Sequence, residues 1–300
     1  MNDDYQDISI VYALINPNDS VSYIRIEKAY LTDGNIYQAA QIPDSNLFPY
    51  KLDVKMYSNN RTILFDTITI YNKDTGIFYA PKMKVYYAVT KNRLNTDDIY
   101  HLEINNPKTG DQLTSSTSLV DGSRIRYSYP RSKADFSNDK ACEFKSISNV
   151  TVYQLNIRFH YTEGYLSGGD TIFSEHYVDW IQPSVHPINN SAGQEISIPY
   201  SGEAFYSNLE NNIPYKENVF RYVGQAEFIT SSADETFNAY MEINKPSASL
   251  VIDRPLFTNI ENGYGIFASR SKYNYSYDLT GPSIIKLRRI ESLNFVQRPH

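Results

Sequence analysis

Ile8-Ser9-Ile10-Val11-Tyr12-Ala13-Leu14-Ile15 is an apolar run, and Tyr23-Ile24-Arg25-Ile26-Glu27 follows it beyond Asn16-Pro17-Asn18-Asp19. In an extended chain successive side chains point to opposite faces, so Ile24 and Ile26 share one face while Tyr23, Arg25 and Glu27 share the other. Asn, Pro and Asp between the two runs are turn residues. The pair therefore predicts a β-hairpin that opens an antiparallel sheet.

The same period continues outward from this hairpin. Strands are expected at 50–57, 62–70, 83–90 and 98–105, with turns at Asn72-Lys73-Asp74-Thr75-Gly76 and Asn106-Pro107-Lys108-Thr109-Gly110. Short strands separated by regular turns over residues 1–121 imply a β-sandwich, taken here as immunoglobulin-like. The Thr/Ser stretch 114–118 leads to a boundary at Asp121-Gly122. Beyond it a second β-rich domain, 122–300, is expected.

In that second domain, strands are read at 124–129, 150–161 and 171–181, with a Gly/Ser loop at 164–170 between the last two. Two short helices interrupt them. Ser201 can cap a helix over 202–212 with Phe205 and Leu209 one turn apart. Ser232-Ala233-Asp234-Glu235 fits a capping box, with Ser232 as N-cap of a helix over 233–243. Strands then return at 264–269, 273–279 and 284–290.

Composition narrows the function classes. The chain has 300 residues, 41% hydrophobic and 21% charged, enough for two domains with real cores. A net charge of −6 speaks against a broad nucleic-acid surface. There is no run of 18 apolar residues, hence no membrane-spanning helix is expected. The single cysteine, Cys142, leaves neither an intrachain disulfide nor a cysteine-built zinc site, and it reads as a buried small hydrophobe. Tyrosine, at 27 residues, is the compositional outlier. Tyr273, Tyr275 and Tyr277 alternate, so their rings share one face of a strand. Such a face either binds glycans or partners, or simply packs within sheets.

No nucleophile elbow, His-Glu-x-x-His or phosphate-binding loop is present. His160 and Glu163, with Glu175 or His176 on the next strand, are the nearest approach to a metal pocket. Turns at Asp33-Gly34-Asn35 and Asn72-Lys73-Asp74 are the nearest approach to a calcium site. Ordinary cross-strand pairs and turn chemistry explain both, so the expectation is no metal, no cofactor and no enzymatic activity. The opening Met1-Asn2-Asp3-Asp4-Tyr5-Gln6-Asp7 has no signal-peptide pattern, and a trimmed chain is the favoured reading of it.

Two stretches carry a resemblance. The first is Ile10 to Ser20 with Tyr23 to Leu31; the second is Phe257-Thr258-Asn259-Ile260-Glu261-Asn262-Gly263-Tyr264-Gly265-Ile266-Phe267. Together they look like a family of uncharacterised cell-envelope lipoproteins of Bacteroidota with an Asn-Ile-x-x-Gly-x-Gly-x-Phe motif. The resemblance implies a lipid anchor on a Cys that would stand in front of the acidic Asn2-Asp3-Asp4, an outer-membrane, cell-surface location, and an accessory role beside an outer-membrane β-barrel protein or complex. Polysaccharide capture is the alternative role. The resemblance supplies no catalytic residue. Asn262, Gly263, Tyr264 and Gly265 become binding candidates beside Tyr273, Tyr275 and Tyr277. The residues themselves also allow a plain structural turn, since Asn-Gly is a strong tight-turn signal and glycine permits close backbone approach.

Overall fold

In the computed structural model, which describes residues 8–29, 47–71, 82–244 and 257–298, the opening alternation becomes one buried and one open face. Val11, Ala13 and Ile15 are buried on β1 (Ile8–Ile15), as are Ile24 and Ile26 on β2 (Val21–Ala29). The strands pair antiparallel with Val11 opposite Ile26. The turn between them is locked by the Asn18 amide donating to Asn16 Oδ1 at 3.1 Å, a local bond that Asn makes readily.

The chain continues through β3 (Asp53–Ser58), β4 (Arg61–Leu64), β5 (Asp66–Ile70), β6 (Met83–Val89), β7 (Ile99–Asn105) and β8 (Gln112–Ser118). The single strand expected at 62–70 is two, because the chain turns at the buried Phe65 and passes between sheets. One sheet runs β1-β2-β6-β5 and the other β4-β3-β7-β8. Lettered A, B, C, C′, D, E, F and G in chain order, these are A-B-E-D and C′-C-F-G, the strand order of the immunoglobulin sandwich. Tyr100, buried near the start of β7, accepts the Asn95 amide at 2.9 Å, the tyrosine corner of that fold. Val11, Ile24, Met56, Leu102 and Ile104 form the shared core.

After Asp121 come β9 (Tyr127–Tyr129), β10 (Lys133–Ala134), β11 (Lys140–Lys145), β12 (Val152–Ser167), β13 (Asp170–Ile181), β14 (Glu195–Tyr200), α1 (Gly202–Asn212), β15 (Val219–Ala233), α2 (Glu235–Asn244), β16 (Tyr264–Leu279), α3 (Gly281–Arg288) and β17 (Phe295–Val296). Strands make up 53% of the structure against 14% helix, so the protein is mainly β. Residues 122–300 do not form one body. The chain divides into residues 1–121 with 233–271, and residues 122–232 with 272–300. The cause is β16, expected as two short strands but formed as one of 16 residues. Its first part pairs in parallel with β1, Ile10 beside Tyr264, and so adds a strand to the first unit. Its end pairs with β10 in the second unit.

Two helix readings also change. Asp234, not Ser232, caps α2, its Oδ1 accepting the Phe237 amide at 2.8 Å. The strand expected at 284–290 is the helix α3. Thr280 precedes it in an extended conformation and Pro282 lies in its first turn, where a missing N–H costs nothing. Ser283 and Leu287, four residues apart, face inward.

The second unit has a sheet ordered β13-β12-β15-β16, with β10 beside β16 and β17 beside β15, and a small sheet β14-β11-β9. Its core is aromatic. Phe136 stacks on Phe205 with ring centroids 3.8 Å apart, and Phe144 meets Tyr153 edge-on at 5.1 Å. Cys142 is fully buried, and burial pushes its thiol pKa far up, so it is an inert hydrophobe.

Candidate functional site

The glycine motif has a structural cause in the first unit. Gly265 has φ +105°, and a Cβ there would lie 1.9 Å from the Val11 carbonyl oxygen. The parallel pairing of β1 with β16 therefore requires glycine at this position. Asn262-Gly263 does not make a β-hairpin. Glu261 bridges to Thr114 on β8 of one sheet, while Tyr264 begins β16 in the other, so the turn carries the chain from sheet to sheet. Asn262 takes φ +60° and its Nδ2 donates to the Gln112 carbonyl at 3.0 Å. Asn262, Gly263 and half-exposed Tyr264 also border an open cleft of about 730 Å³ with Asn106 and Gln112.

The three alternating tyrosines do share a face, but it is not an outward platform. Tyr277 is buried, Tyr273 is half-buried with its ring 5.0 Å from that of Tyr127, and only Tyr275 is exposed. Tyr127 anchors the group through its hydroxyl, 2.9 Å from Thr230 Oγ1. Burial pushes the Tyr127 pKa far up, so the ring group stays neutral. The face therefore runs from core at Tyr277 to solvent at Tyr275.

His160 and Glu163 do not converge. Three residues apart on a strand, they point to opposite faces. His160 Nε2 lies 3.3 Å from Glu227 Oε2. Glu163 is buried and meets Arg221 and Lys216. His176 Nε2 stands 3.6 Å from Glu163, whereas Glu175 faces the other way and accepts from Thr162. Burial pushes the Glu163 carboxyl pKa up, but the bonds and charges of Lys216 and Arg221 outweigh it and hold the carboxyl low. A carboxylate already neutralised by two cations is a structural ion pair, and among the described residues no group of three His, Cys, Asp or Glu could hold a metal. The acidic opening and the turns at 33–35 and 72–76 lie outside the described residues.

A feature not recognised in the sequence stands at 164–173. The expected loop is instead a tight hairpin in which β12 and β13 pair up to Ser167 and Asp170, with only Gly168-Gly169 between them. Both glycines have positive φ, +62° and +95°, as a two-residue turn of the primed kind requires. Near the tip, Leu166 is 73% exposed, Phe173 53%, Ile172 43% and Tyr165 40%. The register sends Tyr165 and Ile172 to one face, and Leu166 and Phe173 to the other. Phe220 sits over Gly164, where a Cβ would come within 2.5 Å of its ring, and meets Phe173 edge-on. The turn signal was present as Gly-Gly between two alternating runs.

β13 is also an edge strand among the described residues. Its 12 residues include no lysine and no proline, and its charges are the three carboxylates Asp170, Glu175 and Asp179. Near one end Asn208 of α1 approaches the Asp179 carbonyl at 3.5 Å, which leaves the stretch nearer the tip as the open one. No protein-family model matches the chain, and no curated protein matches its sequence.

Proposed function

We propose that this chain is a non-enzymatic binding subunit, a cell-surface lipoprotein that docks on an outer-membrane β-barrel protein through the β12–β13 hairpin. The hairpin carries the reading. An apolar tip with exposed side chains on both faces gains burial when a partner surrounds it, and an edge without lysine or proline can accept strand addition. Magnitudes favour the two acting together. Burying what remains exposed of each of Leu166, Ile172 and Phe173 is worth roughly 1–2 kcal/mol. Association alone costs about 4–15 kcal/mol, so the tip needs the main-chain bonds of the edge to hold a partner firmly. The resemblance to Bacteroidota lipoproteins supplies the location, the lipid anchor and the class of partner. Crosslinking from the hairpin tip in native envelopes tests the proposal, with a β-barrel membrane protein as the expected product.

A further inference from the structure

The sheet β13-β12-β15-β16 of the second unit buries one face and leaves the other open. Tyr153, Leu155, Ile157 and Phe159 point inward from β12, so Gln154, Asn156 and Arg158 point out. The outward residues Glu227 of β15 and Lys272 and Asn274 of β16 join them around a shallow cleft of about 450 Å³. These planar polar groups are held in place by one another. Arg158 forks onto Asp179 at 2.8 and 2.9 Å and lies 4.1 Å over the Tyr177 ring. Asn156 Nδ2 donates to Asp179 at 2.8 Å, and Asn274 Nδ2 donates to Glu227 at 2.5 Å. Ile181, 62% exposed, and Ile229 give the cleft its apolar lining, and Tyr177, 56% exposed, lies beside it against Arg158.

We infer that this face is a binding site for a neutral oligosaccharide. Sugar hydroxyls donate and accept at once, which matches an array that alternates amides, a carboxylate and a guanidinium. A pyranose also has an apolar C–H face, which suits Tyr177 and Ile181. The charges balance: Arg158 and Lys272 stand against Glu227 and Asp179, so the face favours an uncharged ligand over a polyanion. Side chains fixed by mutual bonds lose little freedom when a ligand arrives. The site is separate from the hairpin tip and uses the face of β16 opposite Tyr273, Tyr275 and Tyr277.

Affinity electrophoresis of the full chain through gels containing mannan, xylan, dextran or a soluble β-glucan tests the assignment, with a heparin gel as the anionic control. At least one neutral polysaccharide should retard the protein. Tyr177→Ala and Asn274→Ala, both at exposed positions, should weaken that retardation about tenfold or more while leaving the melting temperature near that of the parent. Leu166→Asp at the hairpin tip should leave it unchanged. Retardation by heparin alone, by none of the neutral polymers, or equally in both site variants would overturn the inference.

Discussion

Arg221 and Glu163 form a buried fork in the second unit, with Arg221 Nε and Nη2 both donating to Glu163 Oε1, at 2.9 and 2.8 Å. Arg221 is fully buried, and two more of its N–H groups reach the Leu293 and Pro214 carbonyls, each at 2.9 Å. Removing Arg221 leaves the buried Glu163 with only the half-exposed Lys216 close against it and unpairs the two carbonyls. Arg221→Ala should cost about 3–5 kcal/mol in a urea melt. The double variant Arg221→Met with Glu163→Leu should recover much of that loss, because no uncompensated charge remains. A double variant as unstable as the single would show that the fork does more than satisfy itself.

The same carboxylate sets an acid limit. Glu163 has a folded pKa held below its ordinary 4.5 by Lys216 and Arg221, against the upward push of burial. A depressed carboxylate contributes stability that is full above the unfolded pKa and is lost as pH falls through the folded one. Lys216→Ala removes one of the two cations and raises the folded pKa. Acid unfolding followed by Trp180 fluorescence should therefore begin at higher pH in that variant, and its stability deficit against the parent should be full near neutrality and shrink as the carboxyl protonates.

Gly265 and Gly110 both adopt positive φ, +105° and +81°, but only Gly265 faces backbone where a Cβ would go. Gly110→Ala should cost about 1–2 kcal/mol, the strain of a left-handed residue alone. Gly265→Ala adds a collision with the Val11 carbonyl and should yield little folded protein. Comparing soluble yield and circular dichroism of the two checks this. Equal, mild effects would mean that β1 and β16 separate easily.

Two buried tyrosine hydroxyls make opposite predictions. Tyr200 has its hydroxyl buried with no bonding partner among the described residues, whereas Tyr127 bonds Thr230 and the Phe228 carbonyl. Tyr200→Phe should be neutral or stabilising by up to about 1 kcal/mol, since it removes an unsatisfied group. Tyr127→Phe should destabilise by about 1–3 kcal/mol, because its partners lose their bond. Thermal melts of the pair decide the matter.

Much of the first unit was legible because its strands have one buried face. Val11, Ala13 and Ile15 against Tyr12 and Leu14 write that face into the chain, and the boundary at Asp121 shows as a change to small polar residues. What could not be read was long-range. Nothing near residue 264 says that β16 will join β1 in parallel, so the return of residues 233–271 to the first unit was hidden. α3 was missed because Ile284 and Ile285 are β-branched and, with Leu287, apolar, while the deciding signal was Pro282 at its start. Among the candidate residues, Gly265 was legible as a close-approach glycine from local chemistry. Alternation placed Tyr273, Tyr275 and Tyr277 on one face but could not say which face is buried. The apolar hairpin tip needed the pairing register, which the sequence carries only through Gly168-Gly169.

The docking of the hairpin is tested most directly by a photoreactive residue at position 166, with position 99 on the exposed Ile99 of β7 as control, in envelopes of the native host. A crosslink from position 166 to a β-barrel membrane protein is expected, absent from position 99 and abolished by Phe173→Asp in the same chain. Crosslinks of equal strength from both positions, or none from position 166 while the protein remains folded and membrane-associated, would contradict it.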